Sequence, residues 1–139
     1  MTVVWRGLVV AAALAILAGC GQSGSGPRDV AWDKDTCERC QQVISAKKFA
    51  AQARDDQGKY HLFDDFGDMV LWLDEQKLLD GKRLLYVTDV DSGVWIEARK
   101  ARYSRGFKTP RGFGIAGHAL FKEGDISFGQ AVAAILSRK

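Results

Sequence analysis

The stretch "DTCERCQQVIS", Asp35 to Ser45, holds two cysteines, Cys37 and Cys40, with two residues between them. That spacing brings two sulfurs together to clasp a soft metal ion or to close a redox disulfide. The chain has three cysteines and two histidines in 139 residues. The third cysteine is Cys20, so no second CxxC completes a four-thiolate zinc site. No Ser/His/Asp pattern, phosphate-binding loop or dinucleotide fingerprint points to hydrolase or nucleotide chemistry. Three carboxylates, Asp64, Asp65 and Asp68, cluster where a helix should begin. There they read as capping and dipole-complementing groups rather than as acid/base catalysts.

Cys20 has a different use. Arg6, the apolar run Leu8 to Leu17 and the small residues before Cys20 make a secretory signal, too short for a stable membrane span. Leu17-Ala18-Gly19-Cys20 matches the bacterial lipobox. Residues 1–19 are therefore expected to be cleaved, leaving Cys20 as a lipidated N-terminus anchored at the periplasmic face of a membrane. Gly21 favours the outer membrane. Residues 20–34, rich in Gly and Ser at their start, are expected to form a flexible tether, and residues 35–139 a single domain. The formal charge of +3 falls to about +2 once Arg6 is removed, and basic residues cluster only in "ARKARYSR", so no nucleic-acid partner is expected. In an oxidising compartment, Cys37 and Cys40 can bridge each other unless a metal or reductant protects them.

The elements that must position the pair follow from patterning. Ala50–Arg54 and Tyr60–Phe63 form a hairpin around Asp55-Asp56-Gln57-Gly58. Asp64 or Asp65 caps a helix with Phe66, Met69, Val70, Leu73 and Leu78 at helical spacing, and Asp80-Gly81 marks its stop. Arg83–Asp89 is a buried strand, followed by strands at Val94–Ala98, at "ARYSR" and at Gly117–Phe121. A last helix starts at a Ser127/Gln130 capping box. "HLFDDFGDMVLWL" and "HALFKEGDISFGQAVAAIL" echo each other. The expected class is α+β: two small related ββαβ-like units, mostly antiparallel, with amphipathic helices on one face. Between the last two strands, the long segment from Ser104 to Ala119 carries four glycines and one proline and is a candidate functional loop.

Read in order, "LAGC", "CERCQQVISAKKFAAQ", "FDDFGDMVLWL" and "YVTDVDSGVWIEARKARYSRGFKTPRGFGIAGHALF" resemble the NosL family, lipoproteins that carry copper(I) during assembly of nitrous oxide reductase. The resemblance runs from about Cys20 to Phe121. It implies a membrane-anchored periplasmic metallochaperone that is not an enzyme. The implied partners are apo nitrous oxide reductase or its maturation machinery. The family's cysteine motif continues Cys-x-x-Cys-Gly-Met, where this chain has Gln41-Gln42. A second family Met, after the proline of the glycine-rich loop, corresponds to Arg111.

Both soft thioethers are thus missing, and Met69, the sole Met beyond the leader, reads first as core filler. Cys37 and Cys40 are the expected copper(I) ligands, with His118, His61 or Met69 as candidates for a third. Two other readings stay open: a thiol–disulfide exchange protein, and a divergent family member with a structural disulfide and a partner-binding role.

Overall fold

The computed structural model describes residues 24–139. The leader, the lipobox with Cys20, and Gly21 lie outside the described residues. No described helix is long and apolar enough to cross a membrane.

Six strands and two helices follow in the order β1 (Ala51–Arg54), β2 (Tyr60–Phe63), α1 (Phe66–Glu75), β3 (Leu85–Thr88), β4 (Trp95–Glu97), β5 (Arg102–Arg105), β6 (Ile115–His118) and α2 (Phe128–Leu136). The first four strands form one antiparallel sheet in the order β2-β1-β3-β4, and β5 pairs antiparallel with β6 in a second sheet. Hairpin, helix and return strand make β1-β2-α1-β3 the first ββαβ unit. The second unit repeats hairpin and helix as β5-β6-α2. α1 packs on β1 and β2, α2 packs on β5, and the helices pack on each other.

The sheets meet where β6 crosses β3. A Cβ on Gly117 would lie 2.8 Å from Val87 Cγ2, so only glycine lets the strands approach this closely. Around this junction the core gathers Phe63, Phe66, Met69, Val70, Leu73, Tyr103, Ile115 and Ile135. Burying one such aliphatic or aromatic side chain contributes roughly 1.5–3 kcal/mol. The Tyr103 hydroxyl, deep in this core, donates to Ala98 O at 2.6 Å, which satisfies its one polar atom.

Three boundaries differ most from the sequence expectation. β6 is Ile115–His118 rather than Gly117–Phe121, because β5 pairs Arg105 with Ile115 and the chain turns after His118. Leu120 and Phe121 are left 77% and 70% exposed. α1 ends at Glu75, before Asp80-Gly81. Its C-terminus is a Schellman motif: Leu78 N–H donates to Leu73 O and Lys77 N–H to Asp74 O, with Lys77 at φ 58°. Nothing but a lysine at the left-handed position signals this stop. Finally, part of the expected tether lies on the domain. Val30 is buried, Trp32 stacks on Trp95 with centroids 6.3 Å apart, and Gln52 exchanges hydrogen bonds with the Arg28 backbone. The hydroxyls of Tyr60 and Tyr86 donate to Gly26 O and Ser25 O.

Candidate metal centre

Cys37 and Cys40 sit in a tight loop that closes on itself. Thr36 bridges Val43, Cys37 N–H donates to Gln42 O at 2.8 Å, and Gln41 N–H donates to Cys37 O at 3.0 Å. Gln41 holds φ 62°, a left-handed conformation that costs a non-glycine residue about 1–2 kcal/mol. Its side chain returns to Glu38 O at 2.9 Å and so supports the turn. Glu38 N–H donates to Leu62 O at 2.7 Å, which ties the loop to β2.

The loop places both sulfurs against the start of α1. One donor atom each from Cys37, Cys40, Asp64 and Asp68 lies within 4.8 Å of all the others. Cys40 Sγ is 3.4 Å from Asp64 Oδ1, and Cys37 Sγ is 3.6 Å from Asp68 Oδ2. Both cysteines are free thiols; Cys37 is fully buried and Cys40 partly so.

Sequence patterning assigns the three aspartates to capping and dipole complementation; Asp68 does lie in the first turn, but the capping side chain is that of Asp65. Its Oδ1 accepts from Gly67 N–H at 3.0 Å. Asp64 and Asp68 instead face the thiols. The signal that would have found them is the pair of carboxylates four residues apart, straddling the cap, combined with a CxxC elsewhere in the chain.

Two arginines close over Asp68. Arg39, between the cysteines, donates to Asp68 Oδ1 at 2.9 Å and to Glu75 on the next turns of α1. Arg111, from the glycine-rich loop, brings Nε to 3.6 Å of Asp68 Oδ2, and its backbone N–H donates to Asp65 Oδ2 at 2.9 Å. That loop is pinned further by Phe113, which covers Gly67 so closely that a Cβ there would lie 2.1 Å from the ring. The two guanidiniums offset the negative charge that a fully buried Asp68 would otherwise carry uncompensated.

The electrostatics keep the sulfurs protonated. Burial pushes the Cys37 thiol up, partly opposed by backbone amides of Cys40, Asp64 and Arg39. Burial pushes Cys40 up further, with Cys37 and Asp68 adding to the effect. Burial also raises Asp64, against the hydrogen bonds from the two thiols. A pair of neutral thiols beside two carboxylates is a site that exchanges protons for a cation.

The other candidate ligands are not among these four. Met69 is fully buried in the core. His61 and His118 are outside the group of four. His118 is fully buried, with Nδ1 2.6 Å from Leu120 O and Nε2 2.8 Å from Ser104 Oγ and 3.0 Å from Asp125 Oδ1. Ser104, His118 and Asp125 do not form a catalytic relay. Serine and aspartate face the same ring nitrogen, and the hydroxyl donates to Asp125 Oδ1 at 2.6 Å. Sequence reading did not connect these three residues; they tie the end of β6 to the turn before α2.

No family model matches the sequence, and no curated protein matches it either. Among solved structures, the fold matches the crystal structure of the copper chaperone NosL from Shewanella denitrificans. The TM-score is 0.59 at 15% identity, over 80% of this chain and 87% of that chain. At this level of identity the likeness is one of fold: the chain is built on a NosL-like scaffold, with its thiol pair and two carboxylates together at the start of the first helix.

Proposed function

We propose that this protein is a copper(I)-binding accessory protein, a metallochaperone held at the periplasmic face of a bacterial membrane through lipidated Cys20. It supplies copper for maturation of nitrous oxide reductase. The observation that carries this reading is the meeting of two free thiols with two carboxylates, on a fold shared with a copper chaperone.

Copper(I) prefers soft donors and accepts low coordination numbers, so Cys37 and Cys40 as thiolates form the primary grip. Asp64 and Asp68, each in contact with one sulfur, stand where the displaced thiol protons leave. Cys40 is the exposed side of the pair. A recipient's sulfur or imidazole therefore meets it first, and the ion passes by ligand exchange rather than by catalysis. The exchange-enzyme alternative draws no support from the electrostatics. A reactive redox cysteine needs a lowered pKa, and burial moves both thiols the other way.

Competition against a copper(I) chelator tests the reading. The reduced protein is expected to bind one ion per chain and to outcompete Cys37→Ser by at least tenfold. Wild type performing no better than Cys37→Ser removes the thiol pair as the site.

A further inference from the structure

Arg54, Lys82 and Arg83 converge at the end of the sheet where β1 turns into β2 and the chain enters β3. With Asp55, Asp56 and Leu84 they line a cavity of about 160 Å³. One water needs roughly 10–15 Å³, so the space takes a group the size of a phosphate. Two turn glycines let the guanidiniums into place. A Cβ on Gly81 would lie 1.9 Å from Arg83 Nη1, and one on Gly58 would lie 3.1 Å from Arg54 Nη2.

The three cations are short of partners. Asp55 turns Oδ2 to His61 Nε2 at 2.9 Å and Oδ1 to the Gln57 and Lys59 amides. Among the described residues that leaves Asp56, 2.8 Å from Arg83 Nη2, and it is 69% exposed and can swing outward. Arg83 Nε is buried and has no hydrogen-bond partner. Arg54 Nε reaches Gly58 O at 3.3 Å, with its guanidinium over the Tyr60 ring, and Lys82 is exposed. Two guanidiniums and an ammonium around a small cavity suit a tetrahedral oxyanion, which accepts several charge-assisted hydrogen bonds at once.

The tether indicates which oxyanion. Tyr60, against Arg54, donates its hydroxyl to Gly26 O, so the N-terminal segment reaches the domain beside this cavity. Gly26 is six residues from Cys20, a span of at most about 22 Å. We propose that Arg54, Lys82 and Arg83 form a site for the phosphate of a phospholipid headgroup, which seats this end of the domain on the bilayer. The proposal rests on Cys20 carrying the lipid anchor. A tether this short keeps headgroups at an effective concentration on the order of millimolar, so a weak site is filled.

Nitrogen NMR of the arginine side chains tests the site in two arms, with the processed chain from residue 20 carrying Cys37→Ser and Cys40→Ser. In the first arm the soluble chain is titrated with inorganic phosphate. The Arg54 and Arg83 Nε–H signals are expected to move and saturate, and that of the exposed Arg105 on β5 to stay. Lys82→Gln is expected to weaken phosphate binding at least threefold, as is Gly81→Ala, whose methyl displaces the Arg83 guanidinium. In the second arm Cys20 is coupled to a maleimide lipid in phosphatidylglycerol nanodiscs without free phosphate, so the outcome does not depend on lipidation in the cell. The same two signals are expected at their shifted positions. Signals moved by phosphate but not in nanodiscs make this a site for a free anion and overturn the lipid assignment. No movement in either arm, or Arg105 moving as far as Arg83, overturns the site itself. Mass spectrometry of the cellular protein checks the anchor separately: an unmodified Cys20 removes the lipid assignment and leaves the anion site to the titration.

Discussion

Changing the pH by one unit probes the thiol pair directly. Burial raises both Cys37 and Cys40 above the ordinary thiol range, so both carry protons throughout the window from about pH 6.5 to 7.5. With the ion held by both thiolates, as proposed, each ion taken up releases two protons. Conditional affinity then rises with pH by a factor of ten per proton per unit. That is about a hundredfold over the window, or roughly 2.7 kcal/mol at 1.36 kcal/mol per proton.

The sign is fixed by the direction of the shifts. Had either thiol been lowered below the window, its proton would already be gone and the slope would fall by one. The assay is competition with a copper(I) chelator of known proton dependence, under a reductant, at four or five pH values. Cys40→Ser should halve the logarithmic slope, because one titrating sulfur remains. A wild-type affinity that rises less than tenfold across the window refutes the two-thiol account.

Three further outcomes follow from the packing and the leader. Asp68→Asn leaves Arg39 and Arg111 facing a neutral amide, and with Arg39 29% exposed the cost in urea unfolding should be about 1–3 kcal/mol. A loss below about 0.5 kcal/mol would show that the arginines do not depend on that carboxylate. Gly67→Ala puts a methyl 2.1 Å from Phe113 Cγ. Helix propensity recovers about 1 kcal/mol and overpacking costs about 1–3, so a net loss is expected by the same assay, together with weaker metal binding as the Arg111 loop shifts. Cys20→Ser should move the protein from the membrane to the soluble periplasmic fraction, as cell fractionation would show.

How far the sequence reached can be seen at particular residues. The hairpin around Gly58, the Asp65 cap and the Ser127 capping box rest on local chemistry, and the structure has all three. Patterning starts β6 two residues late and ends it three late because Leu120 and Phe121 look like core residues. Pairing with Arg102–Arg105, across the glycine-rich segment, decides the register instead. Asp64 and Asp68 were hidden for a related reason. An acidic helix start looks the same whether its carboxylates face water or face two sulfurs from a loop about thirty residues upstream. Only tertiary packing distinguishes the cases. Arg111 shows the converse: as a letter in place of a soft ligand it argues against a cation, yet its guanidinium lies against Asp68 and lessens the charge there.

Asp65 divides its carboxylate between two masters, one oxygen for the Gly67 amide in the first turn of α1 and the other for the backbone of Arg111. Serine at this position would still start the helix, but it has no second oxygen to offer the glycine-rich segment. The choice of aspartate thus sets the position of a distant loop through a residue whose obvious duty is local, and any disturbance of that loop is transmitted to the helix end on which the sulfurs rest.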